Sequence, residues 1–118
     1  MKILVTGTSQ GIGKAVAEHF LTQGHRVYGI DIQGSAIDDP GYTHYIGDVR
    51  DYADLPDIPE VEILINNAGT QNGKDIDVNL KGLIGITERY GIQDRIRSIL
   101  NIGSASGHTG AEFPQYCA

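Results

Sequence analysis

Glycines at 7, 11 and 13 sit between a short apolar run and a segment whose apolar residues switch to helical spacing, and this junction restricts the fold more than any other stretch. The run Lys2-Ile-Leu-Val-Thr6 shows no alternation, so it reads as a strand covered on both faces, as in a parallel sheet. From Gly11 onward, Ile12, Val16 (with Ala15) and Phe20 mark one face of a helix, which Gly24 stops. Arg26-Val-Tyr-Gly-Ile-Asp31 reads as the second strand. Strand, helix and strand within about 30 residues make a βαβ unit with a right-handed crossover.

The glycines divide the work of such a turn. Gly7 permits the tight reversal, Gly11 lets the backbone approach a pyrophosphate, and Gly13 lets helix and strand pack closely. The helix start then offers free amides and a partial positive charge to phosphate, with Ser9, Gln10 and Ile12 counted among the binding residues. Asp31 ends the second strand 24 residues after Gly7, where a carboxylate accepts hydrogen bonds from the adenosine ribose hydroxyls. Each feature alone has a plainer reading, a tight βα connection or a turn-forming aspartate. Together, in this order, they favour a dinucleotide. The expected cofactor is NAD rather than NADP, because Asp31 would repel a 2′-phosphate and neither Gln10 nor Ile32 supplies a positive charge.

The rest of the chain continues the alternation. Residues 32–41 are turn-rich and leave room for a stub of helix at most. Residues 42–49 read as a third strand, 51–55 as one helical turn and 61–66 as a fourth strand. Residues 75–93 read as a helix whose face is marked by Leu80, Leu83, Ile84, Thr87 and Tyr90, and 97–102 as a fifth strand; residues 103–118 form a loop. The expected architecture is a single α/β domain over residues 1–118, a doubly wound parallel sheet ordered 3-2-1-4-5 and incomplete at its C-terminal end.

Composition closes off several classes. A net charge of −6 with no basic cluster beyond Arg95 and Arg97 argues against a nucleic-acid partner. No apolar run is long enough to span a bilayer, and Met1-Lys2 leads straight into a strand, so neither a membrane anchor nor a leader is expected. The single cysteine, Cys117, cannot form an internal disulfide, which suits the cytoplasm. His19, His25, His44 and His108 show no metal-ligand spacing, and no metal is expected.

Six motifs in order resemble the short-chain dehydrogenase/reductase family, in its single-domain form. The spacing Gly7-x-x-x-Gly11-x-Gly13 is the first; Asp48-Val49 is similar to the family's adenine-pocket dipeptide, and Asn66-Asn67-Ala68-Gly69 to its signature after the fourth strand. Val78-Asn79-Leu80-Lys81-Gly82 resembles the helix segment carrying the catalytic asparagine, and Asn101-Ile-Gly-Ser-Ala-Ser-Gly107 the strand with the catalytic serine. Tyr116 falls 12 residues after Ser104, where the family has its catalytic tyrosine. The resemblance implies an NAD(P)-dependent oxidoreductase acting on a small alcohol or carbonyl compound, with Asp48, Val49, Asn67, Ala68 and Gly69 at the cofactor. It also implies that Tyr116 is the general acid/base, Ser104 polarises the substrate oxygen and Asn79 holds a relay water. A homo-oligomer is implied too, through the helix carrying Leu83 and Tyr90, and Ile99, Leu100 and Ile102 are expected on an open sheet edge.

Two departures stand out: the connections 31–42 and 69–79 are shorter than usual for the family. The family's lysine, four residues after the tyrosine, falls two residues beyond Ala118, so a polypeptide ending there is expected to be a nearly inactive N-terminal half. The competing readings are a non-catalytic dinucleotide-binding module and a structural half that pairs with a partner chain.

Overall fold

The computed structural model describes residues 1–69 and 76–103. Its elements are β1 (Lys2–Thr6), α1 (Gly11–Thr22), β2 (Arg26–Asp31), β3 (Tyr42–Ile46), a 3₁₀ helix (Val49–Asp54), β4 (Ile63–Asn66), a π-helix (Ile76–Gly82) running directly into α2 (Leu83–Tyr90), and β5 (Ser98–Asn101). The strands form one sheet in the order β3-β2-β1-β4-β5. Every neighbouring pair is parallel, with Leu4 opposite both Tyr28 and Leu64. The expected order is therefore observed.

Burial on both faces explains the unbroken apolar strands. Ile3, Val5, Val27 and Ile65 face α1, where Ala17 closes the layer with Val16 and Phe20 around it. Leu4, Ile30 and Leu64 face the other way, against Val49, Leu55, Ile58, Val61, Ile86 and Tyr90. Side chains alternate across a strand, so consecutive residues of β1 serve both cores.

Three expectations are corrected. Strand β3 stops at Ile46 rather than running to 49, because Asp48 caps the 3₁₀ helix by accepting from the Arg50 backbone amide and Val49 turns into the core. Ile12, expected on the inner face of α1, is 61% exposed, and Gly13 and Ala17 are the buried positions of that helix. The helix expected at 75–93 begins with a π turn, which winds more residues per turn and so rotates the face that α2 presents. Gly82, Gly85, Ile86 and Tyr90 consequently face inward, while Leu80 and Ile84 face out.

Tyr90 anchors the second core. Its hydroxyl donates to the Pro56 carbonyl at 2.6 Å, and Gly85 makes room nearby for the Tyr52 ring. Burial pushes the Tyr90 phenol above its ordinary value, outweighing the lowering effect of Arg89. A raised phenol favours the neutral form in the folded chain, so its stability contribution is complete below about pH 10 and is lost as pH rises through the higher folded-state value. Chemical denaturation from pH 8 to 11 should show a falling midpoint, with a shallower fall in Tyr90→Phe; an unchanged slope would contradict this assignment.

Candidate functional site

The carboxyl ends of β1, β2, β3 and β4 meet at one rim of the sheet, where ligands bind in open parallel sheets. A cleft of about 440 Å³ opens there, lined by Gly7 and Gln10 from the first turn, Ile30, Asp31, Ile32 and Gln33 from β2 and its continuation, Gly47, Asp48, Val49 and Arg50 after β3, Asn67, Ala68 and Gly69 after β4, and Val78.

The first turn is held from two sides. Gly7 adopts φ +77°, and its amide donates to the Ile30 carbonyl at 2.7 Å, tying the turn to β2. The Asn67 side-chain amide donates to the Gly7 carbonyl at 3.2 Å, tying it to β4. Buried Thr6 accepts from the backbone amides of Asn67 and Ala68, both at 3.1 Å. Gly13 closes the knot: a β-carbon there would lie 2.0 Å from the Gly7 carbonyl oxygen and 2.4 Å from the Asn67 amide nitrogen. Helix α1 thus starts flush against the turn. Its N-cap, Gln10, makes no side-chain capping bond, and no acidic residue occupies the first turn. The opening amides of the helix therefore have no side-chain partner from the cap.

Asp31 is bonded by the backbone around it. One carboxylate oxygen accepts from the Ser9 amide at 3.0 Å and the other from the Gln33 amide at 2.8 Å. Each oxygen keeps lone-pair capacity for one further donor. Asp48, which also lines the cleft, accepts from the Arg50 amide and is clasped by the Arg50 guanidinium, at 2.6 Å at the closest approach.

Of the residues the sequence singles out, the cleft gathers Gly7, Gln10, Asp31, Asp48, Val49, Asn67, Ala68 and Gly69. Ser9, Gly11, Ile12 and Gly13 belong to the adjoining turn and helix start but do not line the cleft. Ser9 acts on the loop instead, its hydroxyl donating to the Gly34 carbonyl at 2.8 Å. Asn79 lies in the π-helix with its side-chain oxygen 3.2 Å from where a Gly69 β-carbon would project. Ser104 and Tyr116 lie outside the described residues. Sequence reasoning missed Arg50, whose only signal is its place two residues after Asp48, and Ile32, Gln33 and Val78, which neighbour flagged residues. Among the described residues no three His, Cys, Asp or Glu side chains gather as a metal site, and no helix is long and apolar enough to cross a membrane.

Sheet order, glycine turn and strand-end cleft define a Rossmann-type α/β protein. Residues 1–118 match the short chain dehydrogenase family along their whole length, and the chain belongs to that family. It is 31% identical to the NADP-dependent 3-hydroxy acid dehydrogenase of Shigella flexneri over 91% of this chain and 55% of that protein. Serine dehydrogenase from Escherichia coli superposes with a TM-score of 0.78 at 29% identity, covering 92% of this chain and 64% of that one. Aldohexose dehydrogenase of Thermoplasma acidophilum gives a TM-score of 0.83 at 26% identity, covering 98% and 54%. The chain spans about half the length of the curated relatives it matches.

Proposed function

We propose that this chain binds NAD(H) along the strand-end cleft and belongs to an oxidoreductase that exchanges a hydride with a small alcohol or carbonyl compound. The observation that carries the reading is the joint fit of Gly13 and Asp31. A packed glycine turn backs a helix start whose cap side chain bonds none of its amides, and a carboxylate with two spare acceptor positions stands at the end of β2. The opening amides of α1 receive the pyrophosphate. Asp31 accepts from the two adenosine ribose hydroxyls, while Ile32, Val49, Ala68 and Val78 give the purine an apolar slot. Asp48 and Arg50 form the polar edge of that slot.

The nicotinamide supplies or takes the hydride when bound; the chain places it and handles the proton. In this reading Tyr116 exchanges a proton with the substrate oxygen, Ser104 donates a hydrogen bond to the same oxygen, and Asn79 holds a relay water. An unassisted phenol, with a pKa of about 10, is only roughly one part in a thousand phenolate at pH 7, so the tyrosine needs a nearby cation. A polypeptide of these 118 residues alone is therefore expected to bind NADH but to turn over far more slowly than one extended by a lysine-bearing helix and a substrate loop. NADH oxidation against a panel of ketones and aldehydes tests this. Comparable turnover by the short and extended chains, lost in both on Tyr116→Phe, would contradict it.

Self-association is part of the proposal. Ile99 and Leu100 on β5 are 42% and 51% exposed, and Leu80 in the π-helix and Ile84 in α2 are exposed too, whereas Tyr90 is buried inside the protomer and is not available for such a contact. Sedimentation at tens of micromolar should show a species heavier than the 12.7 kDa monomer, and a clean monomer would overturn this part.

A further inference from the structure

A closed ring of hydrogen bonds runs behind the Asp31 carboxylate. Thr8, completely buried, lies 2.6 Å through its hydroxyl from the Tyr42 hydroxyl. The Tyr42 hydroxyl lies 2.7 Å from His44 Nδ1, and His44 Nε2 lies 2.8 Å from the Gln33 carbonyl oxygen. Gln33 donates its own amide to Asp31, and Asp31 accepts from Ser9, the residue next to Thr8. The ring therefore passes from the glycine turn through β3 to the loop after β2 and back.

Its direction follows from the chemistry of the end groups. A carbonyl can only accept, so His44 Nε2 carries the hydrogen. In the neutral imidazole Nδ1 then accepts from Tyr42, and the Tyr42 oxygen accepts from Thr8. Burial, reinforced by the negative charge of Asp31, pushes the Tyr42 phenol above its ordinary value, so it retains a proton to donate. Gly29 on β2 leaves the space for this: a β-carbon there would lie 1.9 Å from the Tyr42 oxygen and 2.4 Å from the Thr8 oxygen.

We infer that His44, oriented by Tyr42 and Thr8, is a positioning residue for ribose recognition: it holds the Gln33 carbonyl so that the Gln33 amide keeps the Asp31 carboxylate aimed at the ribose hydroxyls. This rests on the proposed dinucleotide site. Without the imidazole, the Gln33 and Gly34 carbonyls are left with the Ser9 hydroxyl, 2.8 Å from the Gly34 oxygen and 3.4 Å from the Gln33 oxygen. The carboxylate then loses the fixed geometry on which hydrogen bonding to a hydroxyl pair depends.

The probes are ADP and 2′-deoxy-ADP, titrated calorimetrically into the whole chain. The wild-type chain should bind ADP about tenfold more tightly than the deoxy analogue. Asp31→Ala should bring that ratio to about one, and His44→Ala and Tyr42→Phe should bring it below about three. His44→Gln, which keeps a donor for the Gln33 carbonyl, should restore more than half of the lost discrimination. A ratio left at its wild-type value by His44→Ala, or no recovery with His44→Gln, would overturn the inference while leaving the dinucleotide site standing. Binding of neither nucleotide by the folded wild-type chain would overturn both. If His44→Ala does not fold, nitrogen-15 spectra of the wild-type imidazole decide: hydrogen on Nε2 with Nδ1 accepting supports the ring, and hydrogen on Nδ1 alone refutes it.

Discussion

Gly13→Ala should abolish dinucleotide binding and lower the melting temperature by roughly 10 °C, the cost of overpacking a site that cannot give way. The added methyl would lie 2.0 Å from the Gly7 carbonyl oxygen, 2.4 Å from the Asn67 amide nitrogen and 2.8 Å from the Gly7 carbonyl carbon. Two of those three atoms are backbone, so the clash cannot be relieved by turning a side chain. Helix α1 must back away from the turn, and the Asn67 bond to Gly7 must lengthen or break. Both movements displace the amides proposed to receive the phosphates. Gly34→Ala is the matched control, because a β-carbon there meets nothing within 4 Å. It should melt within about 2 °C of the wild type. Thermal denaturation followed by circular dichroism, with NADH titration of both variants, reads the comparison. Equal NADH affinity in Gly13→Ala and the wild type would show that the turn is not the phosphate site.

Asp31→Ala should erase the preference for NADH over NADPH. Both carboxylate oxygens accept one backbone amide each and the residue lines the cleft, where the proposed ribose would lie. A 2′-phosphate a few ångströms from that carboxylate meets about 1–2 kcal/mol of repulsion in a water-filled cleft, roughly a tenfold penalty. Arg50, the one cation lining the cleft among the described residues, is clasped by Asp48 and so is already committed. The wild type should bind NADH at least tenfold more tightly than NADPH. Removing the carboxylate should weaken NADH by losing its ribose contacts and strengthen NADPH by losing the repulsion. The NADP-dependent relative from Shigella flexneri makes this an exacting comparison, since family membership alone does not choose between the cofactors. Equal affinities in the wild type, unchanged by Asp31→Ala, would contradict the assignment.

How much of this was legible depends on how local the determining physics is. The two-faced burial of β1 is written in consecutive apolar residues, and the turn from β1 into α1 in glycine spacing, so the sheet order and most of the cleft could be read directly. The phase of α2 could not. One π turn at Ile76–Gly82 rotates every later residue, and no composition signal marks it, so helical spacing puts Leu80 and Ile84 on the wrong face. Strand β3 ends early because the Asp48 side chain captures the Arg50 amide, a local competition that β-propensity does not register. The Thr8–Tyr42–His44–Gln33 ring was out of reach for another reason. It joins residues more than 30 positions apart and exists only because the parallel register brings β3 beside β2.

The most direct test of the dinucleotide site is amide chemical-shift mapping of the isotopically labelled chain during titration with NAD⁺. The largest changes should fall on Gly7, Gln10, Asp31, Gln33, Asp48, Ala68 and Gly69, with the amides of Gly11, Ile12 and Gly13 moving as the phosphates engage. Changes confined to the neighbouring groove around Tyr52, Lys81 and Glu88 would contradict the site, as would a folded chain whose spectrum does not change at all.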